Sequence, residues 1–261
     1  MPKIAVIADS NCGIMPSEEE KYGIYILPMP VIIDGKTYCE GTDISLEEFY
    51  RRQSQGAVIS TSQPSPGDVT AMWDRLLETH DEIVFIPMSS GLSSTCQTSL
   101  LLAAEEPYKG KVFVVDDHRI SVTQAVAALE ARNLAKTGKS AAEIKEILEK
   151  EAMDATIYIA VDTLEYLKKG GRITAAAAAL GTVLRVKPVL TIQGEKLESY
   201  AKARGMKPAF QTMLDALKHD VSTRLAPLRQ QGKLKIGLAN TAMEADKLEA
   251  FKKELMENFP D

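Results

Sequence analysis

Two segments of this sequence crowd more hydroxyl groups together than helix capping requires. In the first, Ser60, Thr61, Ser62 and Ser65 gather around Gln63 and Pro64. In the second, Ser89, Ser90, Ser93, Ser94 and Thr95 surround Gly91 and Leu92. Each segment follows an extended run and precedes a helical pattern. Ser and Thr hydroxyls are rotatable donors. A helix N-terminus adds unpaired N–H groups and roughly half a unit of positive charge. Two such turns side by side would hold a carboxylate or a phosphate without a buried cation. Taken singly, each of these residues is better read as a helix cap. The surplus argues otherwise, because a cap needs one hydroxyl and each segment supplies at least four. The two segments together are therefore the expected ligand site, with Thr61, Ser62, Gly91, Leu92 and Ser93 among its residues.

The same serines invite an enzyme reading. Gly91-Leu92-Ser93-Ser94-Thr95 nearly matches the nucleophile elbow G-x-S-x-G, but Thr95 stands where the strained elbow needs its second small residue. Asp116, Asp117 and His118 follow in an order compatible with a triad. An Asp and a His adjacent in sequence rarely orient one another as a triad requires. A serine hydrolase or acyl-transfer enzyme using Ser93 stands as the alternative, and no catalytic residue is assigned.

A third segment runs Leu164-Glu165-Tyr166-Leu167-Lys168-Lys169-Gly170-Gly171-Arg172-Ile173. Lysines in a last helical turn followed by glycine make a helix C-cap. That accounts for Lys168, Lys169 and Gly170 but not for Arg172 beyond the stop. Arg172 reads either as a fork presented to a carboxylate, phosphate or partner or as a plain surface cation.

Other chemistries find no support. Neither G-x-G-x-x-G nor G-x-x-x-x-G-K-[ST] occurs, and there is no H-E-x-x-H. His80, His118 and His219 are scattered, so no metal site and no cofactor is expected. Cys12, Cys39 and Cys96 form no C-x-x-C pair and suit a reducing compartment.

The elements that would position these turns follow from periodicity. Residues 3–8 and 83–88 read as buried strands and 112–115 as another. Asp34-Gly35 within 31–38 predicts a hairpin with a type I′ turn. Capping boxes predict helix starts at Ser17, Ser45, Ser65 and Ser94. A long helix is expected from about Thr123. Strands alternating with such helices predict a mostly parallel sheet covered on both faces. Further on, a strand at 156–161, a short helix at 163–169 and an alanine-rich helix at 174–185 are expected. A hairpin at 188–201, a strand at 234–239 and an amphipathic helix reaching Phe259 complete the pattern. The fold class is thus α/β in two domains. The N-terminal domain, 1–155, has a small hairpin insertion near 27–45. The smaller C-terminal α/β domain, 156–261, has antiparallel strands.

Bulk properties narrow the partners. A net charge of −5 with no basic block makes nucleic acid a poor partner. There is no run of about eighteen apolar residues to span a membrane. The N-terminal run lacks a signal-peptide pattern, so a cytoplasmic protein is expected.

The pattern as a whole resembles the DegV family of bacterial fatty-acid-binding proteins. The resemblance is carried by Ala8-Asp9-Ser10, Thr61-Ser62-Gln63-Pro64-Ser65-Pro66, Ser89-Ser90-Gly91-Leu92-Ser93-Ser94-Thr95 and residues 164–173. Lys187-Pro188-Val189-Leu190 and Lys202-Ala203-Arg204-Gly205 add to it. It implies two α/β domains with a long-chain fatty acid such as palmitate, stearate or oleate between them, in an apolar tunnel. It places the carboxylate against Thr61 and Ser93. It further implies that the bound acid is presented to a separate fatty acid kinase for phospholipid synthesis. The chain departs from the family twice. Asn11-Cys12-Gly13 replaces a Thr-Ala-Asp type sequence. Family chains also continue past an amphipathic helix like the last one here to a glycine-rich tail with a ligand-contacting histidine, whereas this sequence stops at Asn258-Phe259-Pro260-Asp261. Either that tail lies outside this sequence or this member lacks the contact.

Overall fold

The computed structural model describes residues 2–179 and 186–260, and the chain divides into two compact units, Met1–Met153 and Asp154–Asp261. In the first unit the elements run β1 (Ile4–Asp9), α1 (Glu19–Tyr22), β2 (Tyr25–Leu27), β3 (Pro30–Ile33), β4 (Lys36–Cys39), α2 (Leu46–Ser54) and β5 (Ile59–Thr61). They continue with α3 (Pro66–Leu77), β6 (Glu82–Ile86), α4 (Thr95–Ala103), β7 (Val112–Val114), α5 (Ser121–Lys136) and α6 (Ala141–Lys150).

Four strands make a parallel sheet in the order β2-β1-β6-β7. Successive side chains of a strand point to opposite faces, and here both faces are apolar. Val6, Ala8, Val84 and Ile86 point to one side, where α5 and α6 supply Ala127, Ala128, Ala131, Ala141, Ile144 and Leu148. Ala5, Ile7, Ile83 and Phe85 point to the other, against Val69, Met72, Trp73 and Leu76 of α3. Trp73 is fully buried there, edge-on to Phe85 and Tyr108. The near-continuous apolar runs of β1 and β6 follow from this double covering.

A separate three-stranded antiparallel sheet has the order β4-β3-β5. Its hairpin turns at Asp34 and Gly35, whose φ values of 49° and 81° are the left-handed pair a type I′ turn requires. Ser65 caps α3 through a reciprocal capping box with Asp68, and Pro66 occupies the first helical position.

The second unit contains β8 (Ile157–Ala160), α7 (Glu165–Gly170), α8 (Ala175–Ala178), β9 (Lys187–Ile192), β10 (Glu198–Ala203), α9 (Met206–Ser222), α10 (Ala226–Gln230) and α11 (Ala245–Asn258). Its sheet is antiparallel, β10-β9-β8, with an irregularity between Ser199 and Ala201. Ala209, Phe210 and Leu214 of α9 are buried, and Ala209 packs with Val189 and Ala203 of the sheet.

Some local expectations are corrected. Residues 234–239 are not a strand: Leu234, Ile236 and Leu238 alternate with more exposed neighbours, yet no described strand pairs with them. The alanine-rich helix is described only as the short α8, and positions 180–185 of that expectation lie outside the described residues. Ser94 has helical dihedrals and makes no side-chain cap. Ser93 captures the Thr95 N–H instead, at 3.2 Å. Helix α5 begins at Ser121, two residues ahead of the expected Thr123.

Candidate functional site

The chain leaves β1 to one side, forming β2, and later returns to the other, forming β6 and β7. The strand order therefore reverses between β1 and β6. In open parallel sheets the crevice outside the carboxyl ends of strands at such a reversal is the usual ligand site. Asp9 ends β1, and Met88 with the Ser89–Ser94 turn follows β6.

The second hydroxyl turn is locked from below. Ser89 is fully buried; its N–H donates to the Arg119 carbonyl at 2.8 Å, and its side-chain oxygen accepts the Gly91 N–H at 3.2 Å. The N–H groups of Leu92 and Ser93 close back onto the Ser89 carbonyl at 3.0 and 3.2 Å. Leu92 is buried, while Gly91 and Ser93 are half-buried. The Ser93 Oγ lies 2.8 Å from the Thr95 Oγ1 and accepts the Thr95 N–H at 3.2 Å, so it is engaged by Thr95. His118 Nδ1 sits 3.8 Å from an Asp116 carboxylate oxygen.

The first hydroxyl turn leaves the end of β5. Thr61 pairs with Val31 in β3, and the Ser62 N–H reaches the Pro30 carbonyl at 3.5 Å. Thr61 and Ser62 are both exposed. The first turn is tied to the helix that follows the second: the Gln63 side-chain carbonyl accepts a hydrogen bond from the Thr98 hydroxyl of α4 at 3.3 Å. The structure thus places Thr61, Ser62, Gly91, Leu92 and Ser93 on two turns of one unit.

Arg172 belongs to the second unit. Gly171, with φ +70°, ends α7 in the left-handed conformation that glycine tolerates. The Arg172 guanidinium donates to the Gly170 carbonyl, and the Arg172 carbonyl accepts the Leu197 N–H at 2.9 Å. Its backbone is pinned beside β10, and its side chain is half-buried.

The same unit withdraws from water two acids to which sequence reasoning gave no role, Asp9 and Glu40, and a third, Asp117, which it weighed only as part of a triad. Asp9 is fully buried, and burial drives its carboxyl above the ordinary range, against the pull of the N–H donors of Met88, Asn11 and Gln124. Glu40 is likewise pushed up, first by burial, and accepts the Ser10 hydroxyl at 2.5 Å. A hollow of about 30 Å³ beside Glu40, lined by Val31, Ile44, Ser45, Leu46 and Phe49, is water-sized. Asp117 is pushed up to about 7 by burial. The one signal available in the sequence was a carboxylate placed at the end of the first apolar strand. The thiols of Cys12 and Cys96 are buried and raised to about 12, which leaves them protonated and unreactive. Among the described residues no cluster of His, Cys, Asp and Glu could hold a metal, and no helix is long and apolar enough to cross a membrane.

Parallel sheet, switch-point crevice and hydroxyl-rich turns define an α/β protein with a candidate ligand crevice. A family model for uncharacterised proteins of the DegV family matches residues 3–261. A DegV domain-containing protein of Caldanaerobacter subterraneus subsp. tengcongensis is 32% identical over 219 residues, spanning 84% of this chain and 78% of that one. A DegV family protein from Thermus thermophilus, whose crystal structure is described by its fatty acid binding, superposes with a TM-score of 0.75 at 33% identity, over 85% of this chain and 79% of that one. DegV of Bacillus subtilis, described as a fatty acid binding protein, gives a TM-score of 0.81 at 26% identity, over 100% of this chain and 90% of that one. The chain belongs to the DegV family.

Proposed function

We propose that this protein binds one long-chain fatty acid, such as palmitate, stearate or oleate, and acts as a carrier rather than a catalyst. The carboxylate is received by Thr61 and Ser62 of one turn and by Gly91, Leu92 and Ser93 of the other, while the acyl chain lies in an apolar tunnel. The observation that supports this most is a hydroxyl-rich turn at the switch point of the parallel sheet, with the segment carrying the second one bonded through Gln63 to the helix that follows it. The descriptions of the Thermus and Bacillus relatives as fatty acid binding agree with it.

The energetics fit a carrier. Each buried methylene contributes about 0.8 kcal/mol, so a palmitate-length chain offers on the order of 12 kcal/mol gross. Ordering the ligand and the site offsets part of this. The neutral donors of the turns then add orientation and discrimination more than affinity. The carrier presents its ligand in the cytoplasm to a fatty acid kinase, which makes an acyl phosphate for phospholipid synthesis, and Arg172 serves that partner or the phosphate charge.

Native mass spectrometry of protein purified from a bacterial host, followed by lipid extraction, tests the reading. About one fatty acid per chain is expected, because an apolar tunnel does not stay water-filled. Protein that is empty and fails to take up added palmitate or oleate overturns it. A fluorophosphonate probe is expected to leave Ser93 unlabelled, since its hydroxyl is engaged by Thr95. Stoichiometric labelling would establish the hydrolase instead.

A further inference from the structure

We propose that Asp9 and Ser10 are positioning residues that hold the two hydroxyl-rich turns in the register a single carboxylate requires, an inference that rests on the fatty acid reading above. These neighbours in sequence each reach one turn. The Asp9 Oδ2 accepts the Met88 N–H at 2.6 Å, one residue before the Ser89 turn begins. Its Oδ1 accepts from the Asn11 backbone and side chain at 3.1 and 3.0 Å and from the Gln124 side chain at 3.2 Å. The same Gln124 nitrogen donates to the Ile86 carbonyl at 3.0 Å, so the last residues of β6 are held from two sides.

Ser10 serves the other turn. Its hydroxyl donates to Glu40 at 2.5 Å and accepts the Met29 N–H at 3.1 Å. Met29 precedes Pro30, whose carbonyl receives the Ser62 N–H, and Glu40 donates its own N–H to the Met29 carbonyl at 3.0 Å. Adjacent Cα atoms are about 3.8 Å apart. One backbone step therefore sets the spacing between the anchor of the Ser93 turn and the anchor of the Thr61 turn.

The chemistry of Asp9 argues for a role beyond packing. Its side chain meets four N–H donors and is fully buried. A buried carboxylate satisfied only by neutral donors is expensive to keep where a neutral side chain would fill the same space. What a neutral isostere cannot do is accept at both termini. An asparagine there must turn its amide N–H groups toward another donor. Only the carboxylate clamps the ends of β1 and β6 and the start of α5 together at once.

The test is a set of double-mutant cycles read by equilibrium binding of palmitate and of methyl palmitate. Asp9→Asn and Ser10→Ala are made alone and on the Ser93→Ala and Thr61→Ala backgrounds. Each single variant is expected to weaken palmitate binding about tenfold and to change methyl palmitate binding less than about twofold. Asp9→Asn is expected to add little once Ser93→Ala is present, and Ser10→Ala little once Thr61→Ala is present, because each acts through the hydroxyl already removed. Equal losses for acid and ester, or additive losses in both cycles, reduce the pair to plain core residues and overturn the proposal. If Asp9→Asn does not fold, Ser10→Ala, which removes a single hydroxyl, decides alone. Wild-type protein that binds neither ligand defeats the fatty acid reading itself. Wild-type binding with additive cycles defeats only the positioning role.

Discussion

Replacing Asp117 by asparagine should make this protein more stable, and only at neutral and alkaline pH. Asp117 is fully buried in the loop after β7. Its Oδ1 accepts the Arg119 N–H at 3.1 Å, while Oδ2 is buried without a partner. Burial outweighs the nearby Arg119 charge and raises the carboxyl from 3.8 to about 7. A rise of about three units corresponds to about 4 kcal/mol. The folded state holds a proton that the unfolded chain releases. Stability is therefore full below about pH 4, declines as the pH rises, and has lost the whole amount above about pH 7. Asparagine reproduces the protonated acid in shape, keeps the acceptor for Arg119, and never ionises. Urea unfolding of both proteins from about pH 4 to about pH 8 should show curves that coincide at the acid end and diverge toward about 4 kcal/mol in favour of the variant. Asp9 and Glu40 also have raised values, but they contribute to both proteins and cancel in the difference. A difference that does not change with pH, or a variant less stable at about pH 8, would refute the reasoning. Palmitate binding should be unchanged, because the Arg119 carbonyl that supports Ser89 is retained.

Ser93→Ala should lower stability by about 0.5 to 2 kcal/mol, since it removes the acceptor for the Thr95 N–H, and should also weaken palmitate binding in titration. Thr61→Ala removes an exposed hydroxyl, so denaturant midpoints should move little while palmitate binding weakens by about 1 to 3 kcal/mol. Arg172→Ala should keep most fatty acid affinity but impair acyl phosphate formation with a cognate kinase; loss of lipid binding would make it a direct carboxylate ligand instead. Trp73→Ala should cost about 3 to 5 kcal/mol in urea unfolding, because the ring is fully buried against Phe85 and Tyr108.

The scaffold was legible wherever a local rule decides the outcome. The apolar runs ending near Ala8 and Ile86 are strands because both faces of the sheet are covered. Asp34-Gly35 turns as its dihedral tolerance dictates, and Ser65 caps as its spacing with Asp68 suggests. The misreadings came where a partner decides. Leu234, Ile236 and Leu238 alternate as a strand would, but alternation shows which side is apolar and not whether another strand is present to pair. Ser94 stands at capping-box spacing from Gln97, yet its backbone is already helical and the hydroxyl one residue earlier takes the Thr95 N–H instead. The hydroxyl turns could be found from composition and placement. The acids of the same unit could not. Nothing in the sequence marks Asp9, Glu40 or Asp117 as withdrawn from water; only the tertiary fold makes them so.

The bonds that hold the Ser93 turn also fix the order in which it can come into being. Asp9 meets Met88 across 79 residues and Gln124 across 115. Contacts of such separation close large loops and form slowly. At a synthesis rate of roughly 5 to 20 residues per second, β1 waits several seconds on the ribosome for the strand it must lie beside, and longer for the glutamine that completes the clamp. The first strand is thus made long before the partners of its last residue. A nascent chain shorter than the start of α5 holds both hydroxyl turns in its sequence without the Gln124 bond that completes the Asp9 clamp.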